Sequence, residues 1–147
     1  MAEFNHTTDL PFPPAQVFDF LVDVRNLSRV NPPTPQIRVI DAPARLHMGA
    51  RFTVSFRKFG IALLSFNEVT WFEEGMGFTD VQVRGPFGSW LHTHKMVACP
   101  SGTRLTDHIE IAPPRGLMGW FLTEQRLLND LTAAFAFRDG RFREVLR

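Results

Sequence analysis

Between Gly116 and Phe137 the chain reads GLMGWFLTEQRLLNDLTAAFAF, its longest stretch with helical periodicity. At 100° per residue, Leu117, Phe121, Leu128, Leu131 and Phe135 fall within one narrow arc. Trp120 and Leu127 widen the arc, while Thr123, Arg126, Asn129 and Asp130 lie opposite, so the helix is amphipathic. Pro113-Pro114 ends what precedes it, and Asp139-Gly140 predicts its C-terminal stop. At about 1.5 Å per residue such a helix spans roughly 33 Å, the width of a small domain. A broad apolar face of that length requires a large partner surface.

Glu124 breaks the pattern, because it sits near the centre of the apolar arc between Phe121 and Leu128. An unpaired carboxylate in a dry core costs several kcal/mol. Either Glu124 lies near the helix start, where negative charge is favoured and water reaches it, or the helix covers a cavity into which Glu124 points.

The upstream sequence supplies the partner surface. Glu3 to Leu10 alternates, with Phe4, His6, Thr8 and Leu10 on one face, as a half-buried strand does. Pro13 or Pro14 opens a helix whose apolar side is Val17, Phe18, Phe20 and Leu21. A second short helical piece spans Val24 to Val30 and closes at Asn31-Pro32-Pro33. Strands are then expected at Ile37–Ile40, Arg51–Phe59, Ile61–Phe72, Phe78–Arg84, Ser89–Ala98 and Thr103–Ile111, with short turns between most of them. Sequential strands on short turns form an antiparallel meander. The fold class is therefore α+β: a curved antiparallel sheet of about seven strands wrapped around a long C-terminal helix, with two short helices closing one end.

Composition narrows the function. A net charge of +1 gives no electrostatic case for nucleic acid. The single Cys99 excludes an intramolecular disulfide and fits a reducing compartment. No apolar run approaches the roughly 18–20 residues of a membrane span, and MAEFNHTTDL does not read as a signal peptide, so a cytoplasmic protein is expected. Fifteen Phe and three Trp with no Tyr supply apolar aromatic surface suited to the lining of a pocket.

The element order, the opening Pro11-Phe12-Pro13-Pro14-Ala15-Gln16-Val17-Phe18-Asp19-Phe20-Leu21, the Gly102-Thr103-Arg104 turn and the terminal helix resemble the START/birch-pollen-allergen (SRPBCC) superfamily. The resemblance covers nearly the whole chain, which reads as one START-like domain over 1–147. The stretch Phe78 to Phe87 followed by Trp90-Leu91-His92-Thr93-His94 is similar to its bacterial polyketide cyclase/dehydrase-like branch. This implies a helix-grip fold with an internal apolar cavity. It implies little about function, since that fold hosts lipid carriers, receptors, aromatases and cyclases.

The last hairpin can be registered by its hydrophobic pattern. If Ala98 faces Thr103, then Met96 opposes Leu105, His94 opposes Asp107, His92 opposes Ile109 and Trp90 opposes Ile111. Polar Lys95, Thr93, Thr106, His108 and Glu110 then share the outer face. The alternative sets Lys95 against Asp107 and Val97 against Leu105, and the two exclude each other. The first is preferred. It turns His92, His94 and Asp107 inward, and Asp80 and Gln82 join them if the face they share with Phe78 is also inward.

Three readings of this cluster compete. His94–Asp107 is a satisfied buried pair that fixes register; or the group orients the polar end of an apolar ligand or serves as acid/base; or His92, His94 and Asp107 hold a metal as a facial triad does. The resemblance argues against the last, and neither metal nor cofactor is expected. The expected function is binding of a small hydrophobic ligand, lipid-like or aromatic, between sheet and helix. Its site is His92, His94, Asp107, Asp80, Gln82, Trp90, Met96, Phe121, Glu124 and Leu128. The alternatives are a cyclase/aromatase/dehydrase-type enzyme using His94, Asp107 and Glu124, and an interaction module with a collapsed cavity. The chain is expected to be a monomer or weak dimer.

Overall fold

The proline cluster and turn glycines cut the chain into elements close to those expected. A computed structural model describes residues 1–58 and 60–147, with Lys58 described by its backbone. In chain order these are β1 (Ala2–Leu10), α1 (Pro14–Val22), a 3₁₀ turn (Val24–Asn26), α2 (Leu27–Val30), β2 (Gln36–Asp41), β3 (Arg51–Lys58), β4 (Ile61–Glu73), β5 (Gly77–Arg84), β6 (Ser89–Cys99), β7 (Gly102–Ala112), α3 (Met118–Phe121) and α4 (Glu124–Val145). The expected end of β3 at Phe59 lies outside the described residues.

All seven strands join one antiparallel sheet in the order β1-β7-β6-β5-β4-β3-β2. The meander runs from β2 to β7, and β1 adds to the far side of β7. Register shifts between β4 and β5, at Phe66/Asn67 and Val69/Trp71, break the ladder and bend the sheet. The concave face carries Phe52, Val54, Val69, Phe78, Leu105, Ile109 and Ile111, all buried. α4 lies across it. This is the α+β helix-grip arrangement that the strand pattern predicts.

The β6–β7 register is the preferred one: Ala98 pairs with Thr103, Met96 with Leu105, His94 with Asp107 and Trp90 with Ile111.

The long helix differs from its expected span at both ends. It begins at Glu124, because the Thr123 hydroxyl accepts from the Arg126 N–H at 3.3 Å and caps the first turn. Gly116, at φ 73°, turns the chain away upstream. Leu117 and Trp120 are each 81% exposed and Phe121 is 69% exposed, so their place on the apolar arc does not bury them. Downstream the helix passes through Gly140 to Val145. Phe142 and Leu146 continue the buried face, and their packing outweighs the roughly 1 kcal/mol that an interior glycine costs.

The apolar core forms two clusters. One joins α1, the 3₁₀ turn and α2 to the sheet and to Phe142 and Leu146; the other gathers Ala2, Ile109, Ile111, Leu127 and Phe135.

Candidate functional site

Strand pairing places the site residues in two rows across the concave face. One row runs His6 (β1), Asp107 (β7), His94 (β6), Phe78 (β5) and Phe72 (β4). The other runs Phe4, Ile109, His92, Asp80 and Val69. Gly77 opens β5 because a Cβ there would collide with the His94 carbonyl oxygen. Above these rows the inner face of α4 presents Phe135, Arg138 and Phe142.

Between sheet and helix lies a cavity of about 390 Å³. Its walls are mainly apolar, with Phe20, Leu46, Phe52, Val54, Phe56, Phe87, Trp90, Ile109, Leu127, Leu131 and Phe135 among them. Exposed Thr34 and Pro35 in the α2–β2 loop and exposed Asp130 and Ala133 on α4 mark its solvent-facing side. Asp80, His92, His94, Ser65, Asn67 and Arg138 bring polar atoms to the lining. Ser65 and Asn67 satisfy one another: the Ser65 hydroxyl donates to Asn67 Oδ1 and the Asn67 amide donates to the Ser65 carbonyl, both at 3.0 Å.

Asp107 is fully buried and binds both imidazoles. His92 Nε2 lies 2.7 Å from Asp107 Oδ1, a directed hydrogen bond. A carboxylate can only accept, so His92 donates from Nε2. His94 Nδ1 lies 3.0 Å from the same oxygen, yet the approach is off the N–H direction. That contact is electrostatic, and Nδ1 has no hydrogen-bond partner. The directly opposed residue, His94, thus makes the weaker contact, and the diagonal neighbour makes the bond. His94 Nε2 stands 3.5 Å from Asp80 Oδ2. The His92 and His94 rings are 3.7 Å apart, and Phe78 stacks on His94 at 4.4 Å.

Burial opposes a proton on His94, but the Asp107 and Asp80 carboxylates outweigh it and raise His94 above the ordinary imidazole value. Burial and the neighbouring charge of His94 push His92 down to about 4. Burial would raise Asp107, yet the two imidazoles hold it well below the usual carboxylate range. The two imidazoles are therefore pushed in opposite directions, His94 towards and His92 away from the protonated form, around an Asp107 whose ionised form is favoured.

Other expected site residues lie elsewhere. Glu124 does not face the cavity: it is half-exposed in the first turn of α4, where its carboxylate meets the Met1 amino group at 3.0 Å. The displaced start of the helix explains this, since a first-turn position is open to water. Phe121 is exposed on α3 for the same reason. Leu128 packs half-buried beside the Ile109–Phe135 cluster, with Leu127 and Leu131 lining the cavity instead. Met96 is buried in the other core cluster. Gln82 braces the β5–β6 turn, its amide donating to the Phe87 carbonyl at 2.9 Å and its oxygen accepting from the Phe87 N–H at 3.3 Å.

Sequence reasoning missed Arg138. It lies just beyond the expected end of the helix, yet Phe135, Arg138 and Phe142 share one face at helical spacing, the signal that would have found it.

Asp80, His92 and His94 offer ligand atoms within 4.8 Å of one another, the donor types of a transition-metal site. Two features oppose a dication there. The two carboxylates favour a proton on His94, which competes with coordination, and the Arg138 guanidinium acts on the same carboxylates, Asp80 and Asp107.

A curled antiparallel sheet gripping one long helix around an internal cavity defines the helix-grip class. The sequence matches the family described as polyketide cyclase / dehydrase and lipid transport over residues 10–136, and the chain belongs to that family. Among solved structures it is similar in fold to a protein from Arthrobacter aurescens, with a TM-score of 0.75 at 16% identity over 97% of this chain and 86% of that one. A protein from Thermus thermophilus aligns with a TM-score of 0.69 at 16% identity, covering 95% of this chain and 96% of that one. Ara h 8.0201 aligns with a TM-score of 0.67 at 13% identity, covering 99% and 97%. No curated protein matches the sequence. Among the described residues no helix is long and apolar enough to cross a membrane.

Proposed function

We propose that this protein binds a small hydrophobic molecule in the cavity between the sheet and α4. The observation that carries the reading is the cavity itself: about 390 Å³, walled by aromatic and aliphatic side chains, with a few buried polar groups converging on it. That combination is the usual form of a small-molecule site, in which apolar area supplies affinity and the polar groups fix orientation. Protein cores pack to a density near that of organic crystals, so a void of this size is not a by-product of folding. Native mass spectrometry of freshly purified protein, with displacement of a fluorescent apolar probe, tests the reading. Retention of an apolar molecule, or saturable probe binding that Phe135→Ala alters, is expected. Ligand-free protein that binds no probe would overturn it and favour an interaction module.

One arrangement favours a second reading, acid/base catalysis on the bound molecule. His92 and His94 are pushed in opposite directions while 3.7 Å apart, and Asp107 meets both. Two groups with values pushed apart suit a proton donor and acceptor. Turnover of a polyketide-like substrate that His94→Gln abolishes while binding persists would establish it.

A further inference from the structure

Arg138 is the one cation of α4 that is fully buried, at 3% exposure, and it lines the cavity. Its position is set by its neighbours on the same helix face. The guanidinium carbon lies 4.5 Å from the Phe135 ring centroid and 5.5 Å from that of Phe142. A cation over an aromatic face is attracted by the ring. The rings offer no oxygen or nitrogen lone pair to its N–H donors.

None of the described residues supplies an acceptor. Arg138 makes no ion pair or side-chain hydrogen bond with any of them, and its Nε is buried and unpartnered among them. The carboxylates nearest in effect are Asp107, Asp139 and Asp80. Each is engaged by another group: Asp107 by His92 and His94, Asp80 by His94, and Asp139 by His6, whose Nε2 lies 2.9 and 3.0 Å from its two oxygens. They offset the charge of Arg138 from a distance and leave its donors free. A buried Nε–H without an acceptor is unfavourable unless something else fills the role.

We propose that Arg138 receives the carboxylate of the bound molecule, so that the ligand is an amphipathic carboxylic acid, with its head on Arg138 and its apolar body against Phe135, Trp90 and the sheet. This rests on the cavity-binding reading and adds the chemical class. The planar fork of a guanidinium matches a carboxylate with two parallel N–H···O bonds, geometry that an alcohol or ester cannot reproduce. Asp80 and Asp107 restrict the site to a single negative charge in one orientation, because a dianion would face them.

Two matched pairs test the proposal by isothermal titration: decanoate with methyl decanoate, and 2-naphthoate with its methyl ester. The wild-type protein is expected to bind at least one acid about tenfold or more tighter than its ester, the scale of one charge-assisted hydrogen bond. The preference should persist from pH 6 to pH 9, because guanidinium does not titrate there whereas an imidazole does. Arg138→Met, which keeps the volume and removes the charge, should abolish the preference through weaker acid binding alone. Arg138→Lys should retain part of it. Equal affinity for acid and ester in the wild type, or an acid preference that survives Arg138→Met, overturns the proposal. So does a preference confined to low pH, which would assign the anion to His94. The wild-type comparison decides the matter even if a variant fails to fold. If neither acid nor ester of either pair binds, the cavity-binding reading falls as well.

Discussion

The His92 and His94 rings sit 3.7 Å apart in a buried site, so a charge on one opposes a charge on the other. Both rings feel Asp107 and Asp80, and the balance against burial raises His94 and lowers His92. The consequence for stability has opposite signs at the two rings. For His92 the folded value is about 4 and the ordinary value 6.5, so between these the unfolded chain binds more protons. Stability from His92 is present above pH 6.5 and lost as pH falls towards 4, by up to about 3 kcal/mol. For His94 the folded value is raised, so its contribution is complete below pH 6.5 and lost as pH rises through that folded value. Urea denaturation from pH 7 to pH 4 should show a steeper loss for the wild type than for His92→Gln; parallel curves would mean that His92 is not held neutral. The strand-borne half of this site was legible in the sequence. Alternation along a hairpin fixes which side chains face inward, and Met96, Leu105, Trp90 and Ile111 left one register that kept the apolar set together. The alternation says nothing about which imidazole the carboxylate prefers. Asp107 reaches diagonally to His92, a choice made by side-chain rotamers.

At the scale of elements, the strands are more legible in the sequence than the long helix, for a physical reason. A two-residue period changes sign at every step, so an error of one residue is visible. A helical arc tolerates extension through any neighbouring apolar residues, and Leu117, Trp120 and Phe121 continue the arc without being part of the helix. The cap at Thr123, followed by acidic Glu124 in the first turn, is the local signal that outweighs the arc. The positions of Glu124 and Phe121 follow from that boundary, and that of Arg138 from the other one. The exposed α3 residues and the buried α4 residues should therefore differ sharply on truncation. Trp120→Ala and Phe121→Ala are expected to change stability by no more than about 0.5 kcal/mol. Phe142→Ala, in the core cluster beside Phe20, should cost about 3–5 kcal/mol. Denaturant midpoints measure both. A loss above about 2 kcal/mol at Trp120 would show that the segment 117–121 packs on the protein in solution.

For the molecule as a whole, the cavity is a departure from close packing that the sheet and α4 enclose together. Its walls include Ile109, Leu127 and Phe135 from one core cluster and Phe52, Val54 and Phe78 from the other, so the empty space is set between the two parts of the core. A void has no partner atoms on one side, and its lining forgoes their dispersion contacts. If the space serves a ligand, filling it should favour stability at the expense of binding. Ala134 lines the cavity from α4 and is half-buried. Leucine keeps helix propensity close to that of alanine and adds three carbons at that position. Ala134→Leu is expected to leave stability unchanged or raise it by about 1 kcal/mol, the usual gain from cavity filling. It should weaken binding of an apolar probe about tenfold or more, through lost volume. Thermal unfolding and probe titration on the same preparation separate the effects. Lower stability with probe affinity intact would mean that α4 packs tightly on the sheet at Ala134 and that the ligand space lies elsewhere.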